Sequence, residues 1–148
     1  MLLRYADACN RLGWIGIASN DSKNGPLQDR AIESMWKQCQ ERFSIDSDRV
    51  YISGFSGGAR VATWFAANHA TRGHLAIGAV MGYDELPKTT YYLLSGNEDP
   101  ATKELQRAET LLRERGSAVH RTTFSGKHVM AREKDVATGL RWLAEQTK

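Results

Sequence analysis

The sequence predicts an α/β protein, a three-layer sandwich in which a mostly parallel sheet carries helices on both faces. Three observations lead there. Helical and strand-like patterns alternate along the whole chain. The 148 residues, 41% hydrophobic and 25% charged, suffice for one core and read as a single domain, residues 1–148. Finally, a serine stands between glycines where an apolar run gives way to a helical pattern, in Gly54-Phe55-Ser56-Gly57-Gly58.

Taken in order, residues 2–12 read as a helix and residues 14–19 as a strand. Residues 20–26 are rich in turn formers and read as a loop. From Gln28 onward, Ile32, Met35, Trp36, Cys39 and Phe43 recur at helical spacing and predict an apolar face that covers the sheet. The β-branched and aromatic run 49–53 is a buried strand, and Val61, Ala62, Trp64 and Phe65 mark a packed helix over about 57–70. A strand at 74–81, a loop through Pro87 and a strand at 91–95 follow. The next helix spans about 102–115, with Gly116 at the C′ position after Arg113 and Arg115, whose charges suit the negative end of the helix dipole. A strand at 118–124, a turn at 125–127 and an amphipathic helix over about 134–146 complete the chain. Trp36, Trp64 and Trp142 are read as core or core-edge packing.

The serine motif is a G-x-S-x-G nucleophile elbow on the turn between a strand and a helix, where a sharp reversal favours residues without a Cβ atom. Two residues downstream complete a triad in the order nucleophile, acid, histidine. Asp99 closes Gly96-Asn97-Glu98-Asp99-Pro100 after the strand 91–95, and His128 follows the strand 118–124. Three loops at the carboxyl edge of one parallel sheet would bring Ser56, Asp99 and His128 together. Rivals exist for the acid, since Glu98 is adjacent and Asp84 and Glu85 also follow a strand. Of the other histidines, His69 ends a helix, His74 begins a strand and His120 lies within one. A competing reading makes the glycines an anion cradle with Arg60 on a phosphate, but neither G-x-x-x-x-G-K-[ST] nor G-x-G-x-x-G is present. Tyr83 is placed either in a substrate cleft or on an exposed loop.

These residues resemble the α/β-hydrolases, in the branch of polyhydroxyalkanoate depolymerases, feruloyl and acetylxylan esterases and dienelactone-hydrolase-like enzymes. The similarity extends to Gly13-Trp14-Ile15-Gly16-Ile17-Ala18, Asn24-Gly25-Pro26, Asp46-Ser47-Asp48-Arg49-Val50-Tyr51 and Gly126-Lys127-His128. It implies a serine hydrolase acting on a small or polymeric carboxylic ester through Ser56, His128 and Asp99, with the Gly57 N–H as an oxyanion donor and no cofactor. A small peptidase or thioesterase is an alternative, and so is a non-catalytic module with an incomplete oxyanion hole. In the family a strand before the first helix ends in a His-Gly loop that supplies the second donor; no such strand is read here. The resemblance therefore implies an N-terminally incomplete sheet with a gap between residues 14–19 and 49–53. Either the two segments pair directly or a strand from another copy or segment fills the space, so a homo-oligomer through exposed strand edges is one expectation.

Other classes are disfavoured. The net charge of +3 is small and its charges are interspersed, against a nucleic-acid surface. No apolar run approaches a bilayer span. The first residues lack the apolar stretch and cleavage site of a signal peptide, which predicts a cytoplasmic protein if the chain is complete and permits a secreted one if a segment precedes it. Cys9 and Cys39 fall on apolar helix faces and read as buried free thiols, and no ligand spacing argues for a metal.

Overall fold

A computed structural model describes residues 2–19, 28–82 and 86–147. Four parallel strands, β1 (Tyr51–Phe55), β2 (Gly73–Ile77), β3 (Thr90–Gly96) and β4 (Val119–Phe124), lie side by side in chain order. Around them pack α1 (Leu3–Leu12), α2 (Gln28–Arg42), α3 (Gly57–Asn68), α4 (Ala101–Glu114) and α5 (Glu133–Gln146). The register sets Ser53 beside Leu75, Leu75 beside Tyr92 and Tyr92 beside His120.

Because side chains alternate across a strand, that register sorts the core into two layers. On one face Leu75, Ile77, Tyr92, Leu94 and Phe124 meet Val136, Leu140 and Leu143 of α5 together with Ala8 and Cys9 of α1. On the other, Ala76, Tyr91, Leu93 and Val119 meet Leu105, Ala108 and Leu112 of α4. Gly54, level with Ala76, lies against Gly58 and Ala59 and so puts α3 on the α4 face. Leu75, Ile77, Leu93, Leu105, Leu112 and Leu143 are fully removed from water, and each such burial contributes roughly 1.5–3 kcal/mol. Glu109 ties α4 to β4, with Arg121 Nε at 2.7 Å and Arg113 Nη2 at 3.0 Å. Burial works against its charge, but the two guanidiniums outweigh that and hold its carboxyl below the ordinary value. Gly116 stands at φ 79° after α4 and returns its N–H to Arg113 O, the C′ role expected of it.

Element ends shift by one or two residues in several places, and three departures from the sequence reading have an identifiable cause. The elbow strand begins at Tyr51 instead of residue 49, because the Asp46 side chain accepts the Asp48 N–H and winds Ser47–Arg49 into a 3₁₀ turn. The next strand ends at Ile77 instead of residue 81, since Gly78 turns the chain at φ 68°. The largest difference is at residues 14–19, which form no strand over the described part of that segment. Gly13, at φ 67°, ends α1, and the chain after it is held by Trp14, whose N–H reaches Cys9 O and whose ring stacks on Tyr51 at 4.1 Å. A cleft of about 430 Å³ opens between this segment and β1, walled by Tyr5, Cys9, Met35, Trp36 and Phe65. The α2 face therefore does not cover a sheet. It docks on α3, with Trp36 edge-on to Phe65 and Glu33 Oε1 2.7 Å from His69 Nε2, and its remaining apolar residues border the cleft.

Candidate active site

Ser56 links β1 to α3 with φ 52° and ψ −119°, the one non-glycine residue at positive φ among the described residues. Such a conformation costs of the order of 1–3 kcal/mol and persists only where its surroundings impose it. They do so here through backbone: Ser56 N–H donates to Ile77 O at 2.8 Å, and Ser56 O accepts the Ala59 and Arg60 N–H groups that open α3. A Cβ on Gly54 would fall 2.2 Å from Gly58 C and O, so only glycine allows the strand and helix to close that tightly. Gly58, by contrast, has open space at its Cβ position, which corrects the expectation that both motif glycines answer to crowding. Gly57, as the first residue of α3, carries one of the N–H groups a helix start leaves without an intrahelical partner.

The carboxyl edge of the sheet gathers the other two residues. His128 Nε2 lies 2.9 Å from Ser56 Oγ, and His128 Nδ1 lies 2.9 Å from Asp99 Oδ2. The Asp99 side chain is 1% exposed and the His128 side chain 42%, so the acid is sealed beneath a histidine that reaches solvent. Asp99 Oδ1 accepts the Ala101 N–H at 2.8 Å, which fixes the carboxylate and leaves Oδ2 for the ring. The Phe55 ring lies 4.9 Å from the imidazole.

Several residues that hold these two loops carry no chemistry legible from spacing. Asn97 N–H donates to Phe124 O, Gly126 N–H donates to Asn97 Oδ1, and Glu98 N–H donates to Gly126 O, so the acid loop and the histidine loop are laced together. A Cβ on Gly96 would lie 2.2 Å from Gly126 O. One on Gly78 would press within 3.3 Å of His128 Cε1, Phe55 and Asp99 Oδ2, so a bare backbone there makes room for the pair. Gly96, Asn97 and Gly126 stand in the motifs quoted above, and only the fold reveals their task.

The rivals fare differently. Glu98 is exposed and meets the histidine loop through its backbone. Asp84, Glu85 and Tyr83 lie outside the described residues. Arg60 points at Glu104, 3.9 Å away. His74 is completely buried with neither ring nitrogen hydrogen-bonded, and His120 stacks on Tyr92 and lies tilted against Trp142. Cys9 and Cys39 are buried free thiols as expected. Among the described residues no cluster of three or more His, Cys, Asp or Glu side chains suits a metal, and no helix is long and apolar enough to cross a membrane.

No protein-family model and no curated protein sequence matches the chain. Solved structures do match it in shape. The carboxylesterase of Bacillus cereus superposes with a TM-score of 0.69 at 13% identity over 97% of this chain and 82% of its own. An alpha-beta serine hydrolase homologue from Coxiella burnetii gives 0.64 at 17% identity over 97% and 74%. The S-formylglutathione hydrolase FrmB of Staphylococcus aureus gives 0.64 at 13% over 79% and 60%. The chain thus has the α/β-hydrolase fold and spans between 60% and 82% of the length of these three neighbours.

Proposed function

We propose that the chain is a serine hydrolase that cleaves carboxylic esters through Ser56, His128 and Asp99. The observation that carries this reading is the continuous relay from Asp99 Oδ2 through both ring nitrogens of His128 to Ser56 Oγ, with 2.9 Å at each step. In the neutral imidazole one nitrogen donates and the other accepts. Asp99, an acceptor, holds the proton on Nδ1 and leaves Nε2 free to take the Ser56 proton as Oγ attacks the ester carbonyl. The imidazolium that forms lies against the buried carboxylate, and the Gly57 N–H faces the developing oxyanion. Nε2 then returns its proton to the leaving alcohol as the C–O bond breaks. Water repeats the sequence on the acyl-enzyme, giving the acid and restoring Ser56. This chemistry calls for no cofactor.

The buried acid and the strained serine support the reading further. A surface serine that merely fills a turn has no need of positive φ, nor of a histidine whose far nitrogen meets a sealed carboxylate. The test is labelling by a fluorophosphonate probe together with hydrolysis of p-nitrophenyl acetate. Both are expected to require Ser56 and His128. Undiminished hydrolysis by Ser56→Ala, or absence of label on the folded chain, would reject the mechanism.

A further inference from the structure

A second cleft, of about 490 Å³, opens between α3 and α4 and is lined by Arg60, Val80, Met81, Gly82, Glu104 and Arg107. Each of its walls leads back to the triad. Ser56 stands at the start of α3, and Arg60 lies one turn further on, a rise of about 6 Å. Glu104 and Arg107 belong to the first two turns of α4, which begins just after Asp99. Val80 follows by two residues, at most about 7 Å, the Gly78 backbone that makes room for His128 and Asp99. The far end of an ester held at Ser56 therefore reaches this cleft.

The cleft is formed in advance of any ligand. Glu104 Oε1 accepts the Val80 N–H at 3.2 Å, and Glu104 Oε2 lies 3.9 Å from Arg60 Nη2. The Met81 N–H donates to Thr63 Oγ1 at 3.4 Å, so residues 80 and 81 are fastened to both helices. Arg107, one turn after Glu104, makes no hydrogen bond or ion pair among the described residues. Two guanidiniums thus face one carboxylate that already answers Val80 and Arg60, which leaves one positive charge over. A guanidinium meets a carboxylate through two parallel N–H bonds. One positive charge suits a monoanion, whereas a phosphate dianion would set a surplus negative charge beside Glu104. We infer that Arg60 and Arg107 form a subsite for a carboxylate carried by the substrate, so that monoanionic esters are preferred to neutral ones. The inference rests on the hydrolase reading and narrows its substrate class.

The experiment measures kcat/KM for two half-charged esters, each against its uncharged amide. Monomethyl adipate, paired with methyl adipamate, carries the charge on the acyl side; 4-acetoxybutyrate, paired with 4-acetoxybutyramide, carries it on the alcohol side. The Arg60 side chain is 60% exposed, so water and salt screen the attraction, and the acid should exceed its amide about tenfold in one pair and less in concentrated sodium chloride. Arg107→Gln, a change at an exposed helix position, should lower that ratio at least about threefold, and Arg60→Gln with Arg107→Gln should bring it close to one. Arg107→Glu should turn the preference toward methyl 6-aminohexanoate. A ratio near one in both pairs for the native chain overturns the inference, as does a ratio that survives in the double variant. Binding is read separately, by nuclear magnetic resonance titration of Ser56→Ala with monomethyl adipate. Binding that needs the two arginines, in a chain whose native form hydrolyses no ester, upholds the subsite and rejects the hydrolase reading. Hydrolysis that depends on Ser56 but ignores the charge of the substrate does the reverse.

Discussion

Ser56 holds its conformation against its own preference, and the two demands on it are separable. Its side chain would serve chemistry, whereas its φ of 52° taxes the fold. Both Ser56→Ala and Ser56→Gly should abolish esterase activity, but the glycine variant accepts positive φ freely and should be more stable than the alanine variant by about 1 kcal/mol, read from urea midpoints. Equal midpoints would show that the elbow is not strained. His74 supplies a second residue-scale prediction. Burial without a hydrogen-bond partner lowers its pKa to about 3, against about 6.5 for an unfolded chain. Above pH 6.5 both states are neutral and the group contributes no pH dependence. As pH falls from about 6.5 toward 3 the unfolded state takes up a proton that the folded state refuses, so stability drops by up to about 1.4 kcal/mol per pH unit. His74→Leu should flatten that part of the acid-stability profile; an unchanged slope would place the acid sensitivity elsewhere.

At the scale of elements, the elbow works because a strand and a helix meet at backbone contact. Gly54→Ala puts a methyl 2.2 Å from Gly58 C and O, and since main chain cannot swing aside, it should cost about 3 kcal/mol and displace Ser56. Gly58→Ala enters open space on the first turn of α3. It should be neutral or stabilising by up to about 1 kcal/mol, because alanine is the better helix former. Thermal melts and p-nitrophenyl acetate hydrolysis of the two variants check the pair, and a Gly58→Ala protein as damaged as Gly54→Ala would refute the distinction. The sequence motif treats these glycines alike. Only the approach of α3 to β1 tells them apart.

For the whole molecule, the cleft beside β1 dominates. The accessible surface, 8592 Å², exceeds the roughly 7,600 Å² typical of a compact monomer of this length, and the cleft is one place where apolar surface lies open. The native chain should accordingly bind the fluorophore anilinonaphthalene sulfonate without denaturant. Ile32→Asp, which sets a charge on the α2 wall, should abolish that binding while leaving the far-ultraviolet circular dichroism intact. Native-state fluorescence insensitive to Ile32→Asp would mean that the dye, and the exposed apolar surface, are somewhere else.

Local chemistry made the α/β class, the alternation of elements and the motif residues legible along the chain. The glycine-flanked serine, the capping Gly116 and the period of each helix are consequences of backbone freedom and side-chain spacing within a few residues. Ser56, Asp99 and His128 could be nominated because each follows an apolar run, and parallel strands carry their loops to one edge. Their 2.9 Å spacings depended on contacts between residues far apart in sequence, above all the lacing of Asn97 and Gly126 and the bare backbone of Gly78. Residues 14–19 mark the opposite case. Their pattern reads as a strand, yet a strand exists only when a neighbour answers its hydrogen bonds, and residues 15–18 make no backbone hydrogen bond to another strand among the described residues. Pattern along the chain determined which segments were able to pair; the tertiary structure decided which did, because pairing is a property of two segments and not of one.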